Sequence, residues 1–167
     1  MLHEDDPFKC SAAKLVKFKL AEPVKFIYKT NIVLNPFSTI PLTSNDAKIA
    51  NAICAIDCSW EQTSELSKHR KLFSRGIGRR LPVMLAANPI NYAVPSKLSS
   101  AEALAGSTFI LGEKDLAARI MDKFKWGHTF LELNSNLLED YAHAESVDEI
   151  IQLEREYFRH LNKEWTQ

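Results

Sequence analysis

The sequence predicts an α/β protein, with a parallel sheet in residues 1–86 followed by a small all-helical part in residues 87–167. Three observations predict it. Two continuous apolar runs, IANAICAIDCS (49–59) and LPVMLAANP (81–89), end in turn-formers and flank one helix-forming stretch, the strand–helix–strand order of a βαβ unit. From Ser99 onward, helix patterns follow one another, two of them opening with a capping-box spacing. The charge also splits, with 13 Lys and Arg against 8 Asp and Glu in residues 1–83, and 8 against 13 thereafter. At 167 residues and 19.0 kDa, the chain is long enough to bury a core without staples.

The elements follow in order. A first helix is expected over Cys10–Phe18. The runs VKFIY (24–28) and NIVLNP (31–36) are short and apolar or β-branched, and TSND (43–46) opens another helix. The runs at 49–59 and 81–89 are continuous rather than alternating, so they read as strands covered on both faces. Between them SWEQTSELSKHRKLF (59–73) reads as a helix with Ser59 at its N-cap and Gln62 three residues on, giving a right-handed crossover. The helical half comprises SSAEALAGSTFIL (99–111), EKDLAARIMDKF (113–124), HTFLELNSNLLEDYAHA (128–144) and SVDEIIQLEREYFRHLNKEW (146–165). The last places Ile150, Leu153, Tyr157 and Leu161 on one stripe.

Composition bounds the function. Hydrophobic residues make up 46% and charged residues 25%, ordinary for a folded globular protein. Lys plus Arg (21) equals Asp plus Glu (21), which excludes a uniformly basic nucleic-acid binder but not a basic face. Cys10, Cys54 and Cys58 make no disulfide framework, and the start MLHEDDPFKC is acidic where a secretory leader is basic and then apolar. No stretch approaches the ~20 apolar residues of a membrane span. A reduced, cytoplasmic monomer with no membrane partner is expected.

Familiar catalytic signatures are missing: no phosphate-binding glycine loop, no GxGxxG, no HExxH, and no spacing that suggests a metal site. Polar chemistry sits instead at strand ends, where open parallel sheets bind ligands. In IDCSW (56–60), Asp57 can hydrogen-bond a ribose, accept a proton or cap a helix, and Trp60 can stack on a base or fill the core. The run AANPINY (86–92) is a loop able to present backbone groups to a flat heteroaromatic ligand, or merely a turn. The basic run KHRKLFSRGIGRR (68–80) is either a solvated face or a phosphate-binding one.

Longer motifs carry a resemblance. HEDDPFKCSAAKL (3–15), IDCSW (56–60), RLPVMLAANPINYAVPSKLSSAEALA (80–105) and FKWGHTFLELNSNLLEDY (124–141) together resemble the S-adenosylmethionine-dependent ribosomal RNA aminocarboxypropyltransferases. The resemblance implies a SPOUT-like α/β fold with a deep trefoil knot and a helical C-terminal domain. It implies S-adenosyl-L-methionine as cofactor and small-subunit ribosomal RNA, or its precursor particle, as partner. The reaction implied is transfer of the 3-amino-3-carboxypropyl group to N3 of a pseudouridine, leaving 5′-methylthioadenosine. A SPOUT methyltransferase and a non-catalytic RNA-binding assembly factor are the alternatives.

The resemblance also implies a site. Ser11 and Ser100 match positions at the amino-acid end of the cofactor, Ile56 offers its carbonyl to the ribose, Leu81 its N–H and Ser96 its carbonyl to adenine. Leu34, Pro36, Trp60, Leu98 and Ala103 wall the pocket, and Asp57 is the candidate base. The RNA face is expected from Lys9, Lys14, Lys68, Arg70, Lys71, Arg75 and Arg79. Ala93 stands where the family commonly has Gly, a restriction if the loop needs a positive φ there.

Overall fold

The computed structural model describes residues 10–56 and 74–159. Helix α1 (Ser11–Lys17) opens on Cys10, whose thiol accepts from the Ala13 N–H at 3.4 Å. Three parallel strands follow among the described residues: β1 (Asn31–Leu34), β2 (Ala52–Ala55) and β3 (Ile77–Arg79), in the order β2-β1-β3. The order corrects two expectations. The buried strand is the central β1, all four of whose residues are buried, while β2 lies at the side with Ala52 exposed and Ile53 to Ala55 half-buried. The strand after β2 is Ile77–Arg79 rather than 81–89, and it pairs with β1 on the side away from β2. The predicted crossover helix at 59–73 lies outside the described residues.

Segment 81–89 fails to be a strand for a physical reason. Pro82 has no N–H to give to a ladder, and side chains take the backbone groups around it. Glu154 accepts from Val83 N–H at 2.9 Å, the Tyr141 hydroxyl donates to the Val83 carbonyl at 3.0 Å, and Asn134 takes both backbone groups of Leu85. VKFIY stays outside the sheet as well: Val24, Phe26 and Tyr28 are exposed, and only Ile27 packs inward, on Val33.

The TSND segment forms one short 3-10 turn, Ser44–Lys48, closed by a capping box between Thr43 and Asp46. Five helices follow among the described residues after the loop that ends at Ser99: α2 (Ser100–Ile110), α3 (Lys114–Met121), α4 (Gly127–Leu133), α5 (Ser135–His143) and α6 (Val147–Tyr157). The Ser99/Glu102 and Ser146/Glu149 capping boxes form as the spacing predicts. One expected helix, 128–144, is broken in two at Asn134, which is 1% exposed and spends its amide on Leu85 instead of solvent. The main core among the described residues runs through both halves, from Leu15, Ile32 and Leu34 through Met84, Ala101 and Phe130 to Tyr141 and Ile150. Helix α2 reaches Met84 closely: a Cβ at Gly106 would lie 2.8 Å from its Cε, so a larger residue there requires the Met84 side chain to shift.

Candidate active site

Register places the site. Leu34 stands opposite Ala55 in β2 and Arg79 in β3, so the carboxyl ends of all three strands emerge at one edge. Three predicted cofactor residues follow from this: Leu34 ends β1, Ile56 follows β2, and Leu81 lies two residues beyond β3. Pro36 is exposed just past β1. In such sheets, ligands bind outside this edge.

Helix α2 brings its N-terminus toward β2 and α1. The Ser11 hydroxyl oxygen accepts from the Ala101 N–H at 3.2 Å, so Ser11 sits against the first turn of α2, which begins at Ser100. Its hydroxyl proton remains available to donate. A cavity of about 740 Å³ runs between α1, β2 and the α2–α3 pair, within the range of small-molecule sites. Ile56 and Ser100 line it, whereas Leu34, Pro36, Leu81, Ser96, Leu98 and Ala103 do not.

Leu81, Ser96 and Leu98 belong to the segment that joins the sheet to α2, and two carboxylates shape it. Glu154 of α6 receives Arg80 in a two-pronged pair at 2.6 and 2.8 Å and also accepts from Val83 N–H, holding the chain on both sides of Leu81. Fully buried Glu102 accepts from the Ala87 and Asn88 N–H groups, the Asn88 amide and the Ser99 N–H, at 2.6 to 3.0 Å. Between them Leu85 and Pro95 pair antiparallel, closed by Ala86 N–H to the Val94 carbonyl and Ser96 N–H to the Met84 carbonyl. Ala93 has φ 61° and Ser96 φ 60°. The loop therefore does need a positive φ at Ala93, and alanine holds it under strain.

Ser96 is exposed, Leu98 buried and Ala103 half-buried in the first turns of α2. The Leu81 N–H and the Ser96 carbonyl have no protein partner among the described residues, so both are open to a ligand. Asp57 and Trp60 lie outside the described residues. Among the described residues, no three His, Cys, Asp or Glu side chains gather as metal ligands.

The basic residues divide. Arg75 is exposed, and Lys14 is half-buried with its ammonium 4.6 Å over the Phe124 ring. Arg79 is not free to meet a phosphate: its guanidinium grips Asp46, which is 3% exposed, with N–O distances of 3.0 Å. A buried carboxylate facing it accounts for the arginine, and it ties β3 to the 3-10 turn. Lys9, Lys68, Arg70 and Lys71 lie outside the described residues.

Residues 32–158 match the family described as ribosome biogenesis protein, C-terminal. A 16S rRNA aminocarboxypropyltransferase of Sulfurisphaera tokodaii is 42% identical over 156 residues, 92% of this chain and 90% of the relative. The chain belongs to this aminocarboxypropyltransferase family. A member from Methanococcoides burtonii is 40% identical over 91% of this chain and 88% of its own. The solved SAM-dependent rRNA:acp-transferase Tsr3 of Vulcanisaeta distributa superposes with a TM-score of 0.79 at 34% identity, covering 92% of each chain.

Sequence reasoning missed the residues that hold the segment between β3 and α2: Glu102, Asn134, Tyr141 and Glu154. Only Glu102 carried a signal, its place in the capping box. No helix among the described residues is long and apolar enough to cross a membrane.

Proposed function

We propose that this protein transfers the 3-amino-3-carboxypropyl group of S-adenosyl-L-methionine to N3 of a pseudouridine in small-subunit ribosomal RNA. Its relatives are named 16S rRNA aminocarboxypropyltransferase, and its structural neighbour a SAM-dependent rRNA:acp-transferase. The observation that carries the reading is the convergence at one sheet edge. Leu34 ends one parallel strand and Ile56 and Leu81 follow the carboxyl ends of the other two, beside a strained loop that ends at the N-terminus of α2.

The residues fit the cofactor. The Leu81 N–H and Ser96 carbonyl offer the donor and acceptor that the edge of an adenine requires. Ile56 serves the ribose, Ser11 and Ser100 the amino-acid end, and Leu34, Pro36, Trp60, Leu98 and Ala103 the apolar walls. Bound there, S-adenosylmethionine supplies a sulfonium-activated carbon. Asp57, which directly follows Ile56, takes the N3 proton of the pseudouridine, whose electron pair then forms the new N–C bond. The S–C bond breaks and 5′-methylthioadenosine leaves.

Lys9, Lys14, Lys68, Arg70, Lys71 and Arg75 face the RNA in this reading. It also carries the SPOUT-like class with its deep trefoil knot, a cytoplasmic monomer, and a division into an α/β part (1–86) and a helical part (87–167). The test is Asp57→Asn in single turnover at saturating cofactor. A general base predicts a loss of about 10²–10⁴-fold. Full rate once saturated, with weakened cofactor binding, would leave Asp57 as a binding residue.

A further inference from the structure

Glu102 is a carboxylate with no exposed surface and, among the described residues, no cationic partner. Such a charge is costly to bury unless hydrogen bonds compensate it. Four N–H groups do so, filling its acceptor capacity: Ala87 at 2.6 Å and Asn88 at 3.0 Å on Oε1, the Asn88 amide at 2.8 Å and Ser99 at 2.7 Å on Oε2. Its place in the first turn of α2 adds the favourable end of the helix dipole.

A helix cap alone does not ask for this. The capping box needs one acceptor at this position, and glutamine serves as well as glutamate there. The other three donors come from the far end of the loop, Ala87 and Asn88. One side chain thus pins both ends of the chain between them, and that chain contains Ala93 and Ser96 at φ 61° and 60°, conformations L residues rarely hold unsupported. Asn88 adds a strut across the loop by donating to the Lys97 carbonyl at 3.1 Å.

We propose that Glu102 is the positioning residue that holds the Ala87–Ser99 loop in its cofactor-receiving shape, with the Ser96 carbonyl and Leu98 set in place. This rests on the transferase reading above. Glutamine at this position would turn an NH₂ group toward two N–H donors, unpinning one end of the loop while keeping size and cap.

The experiment measures S-adenosylmethionine binding by calorimetry for native protein, Glu102→Gln, and Glu102→Gln with Ala93→Gly, alongside amide hydrogen exchange and steady-state kinetics. If the receptive loop falls to about a tenth of the population, the apparent Kd of Glu102→Gln rises about tenfold. The loss falls on KM for S-adenosylmethionine more than on kcat, the Ala87 and Asn88 amides exchange faster, and Ala93→Gly recovers part of the affinity by removing the strain.

A folded Glu102→Gln protein with native Kd overturns the proposal, as does a loss confined to melting temperature. Should that variant fail to fold, Asn88→Ala removes one donor and the strut, and must raise the Kd in the same direction; an unchanged Kd there overturns it equally. If the native protein binds no S-adenosylmethionine, the transferase reading fails and this role fails with it, a result distinct from native binding with an indifferent Glu102.

Discussion

Asn134→Asp puts a negative charge where the helical half grips the segment beyond β3. In the native protein, Asn134 Oδ1 accepts from Leu85 N–H at 2.8 Å, and its Nδ2 donates to the carbonyls of Leu85 and Phe130, both at 2.9 Å. Aspartate keeps the size and the accepting oxygen but aims a second oxygen at two carbonyls, at a position 1% exposed. Burial and the facing dipoles raise its folded pKa above the unfolded ~3.9. An ionised oxygen facing two carbonyls costs about 3 kcal/mol at pH 7, and the hydrogen bond missing even when it is protonated adds about 1 kcal/mol.

For a chain of this size, that is a drop in Tm of about 8–16 °C. The sign in pH is distinctive. A folded pKa above the unfolded one means that stability is present below the unfolded value and lost as pH rises through the folded one. The deficit is therefore smallest below about pH 4 and grows as pH rises through the folded pKa. Urea unfolding of both proteins between pH 4 and 7.5 measures it. A deficit that does not vary with pH, or stays under about 1 kcal/mol, would refute the idea that Asn134 clamps Leu85.

Other predictions follow from the same architecture. Ala93→Gly relieves a left-handed alanine at about 1–2 kcal/mol, offset by about 0.4–1 kcal/mol of added unfolded-state freedom, so Tm rises by up to about 6 °C; a fall contradicts the observed φ. Burial, with the nearby Glu154 charge, pushes the Tyr141 phenol well above its usual range, so its share of stability is full below pH ~10 and declines above it as the unfolded phenol ionises. Tyr141→Phe loses about 1 kcal/mol at neutral pH and flattens that alkaline decline in denaturant titrations. Charge reversal at Arg75 and Lys14 lowers the salt slope of RNA binding by about one unit for each phosphate no longer neutralised, and an unchanged slope makes them solvated cations. Trp60→Ala weakens S-adenosylmethionine binding by about 1–3 kcal/mol in calorimetry if its ring walls the pocket.

What was legible in the sequence was local. The caps at Ser99 and Ser146 rest on residues three apart, so spacing alone reveals them. The strands were harder because pairing decides them. Segment 77–79, IGR, has little strand propensity and becomes β3 by lying against β1, while apolar 81–89 loses strand pairing to Asn134, Tyr141 and Glu154, dozens of residues away. Arg79 reads as one more basic residue in the sequence, because its partner Asp46 stands on a separate turn.

The proposed cofactor residues show a different limit. Leu81 and Ser96 offer backbone groups, which no side-chain pattern advertises, so family resemblance pointed to them and the fold showed those groups without protein partners among the described residues. Glu102 was visible as a cap but not as a buried pin, since its Ala87 and Asn88 donors lie 15 and 14 residues upstream.

The most direct test of the central claim is the product. The protein is incubated with S-adenosylmethionine and small-subunit ribosomal RNA, and both the RNA nucleosides and the spent cofactor are analysed by mass spectrometry. The account predicts a 3-amino-3-carboxypropyl group on N3 of a pseudouridine, with 5′-methylthioadenosine formed in equal amount. A methylated nucleoside with S-adenosylhomocysteine, or cofactor binding without any RNA product, would contradict it.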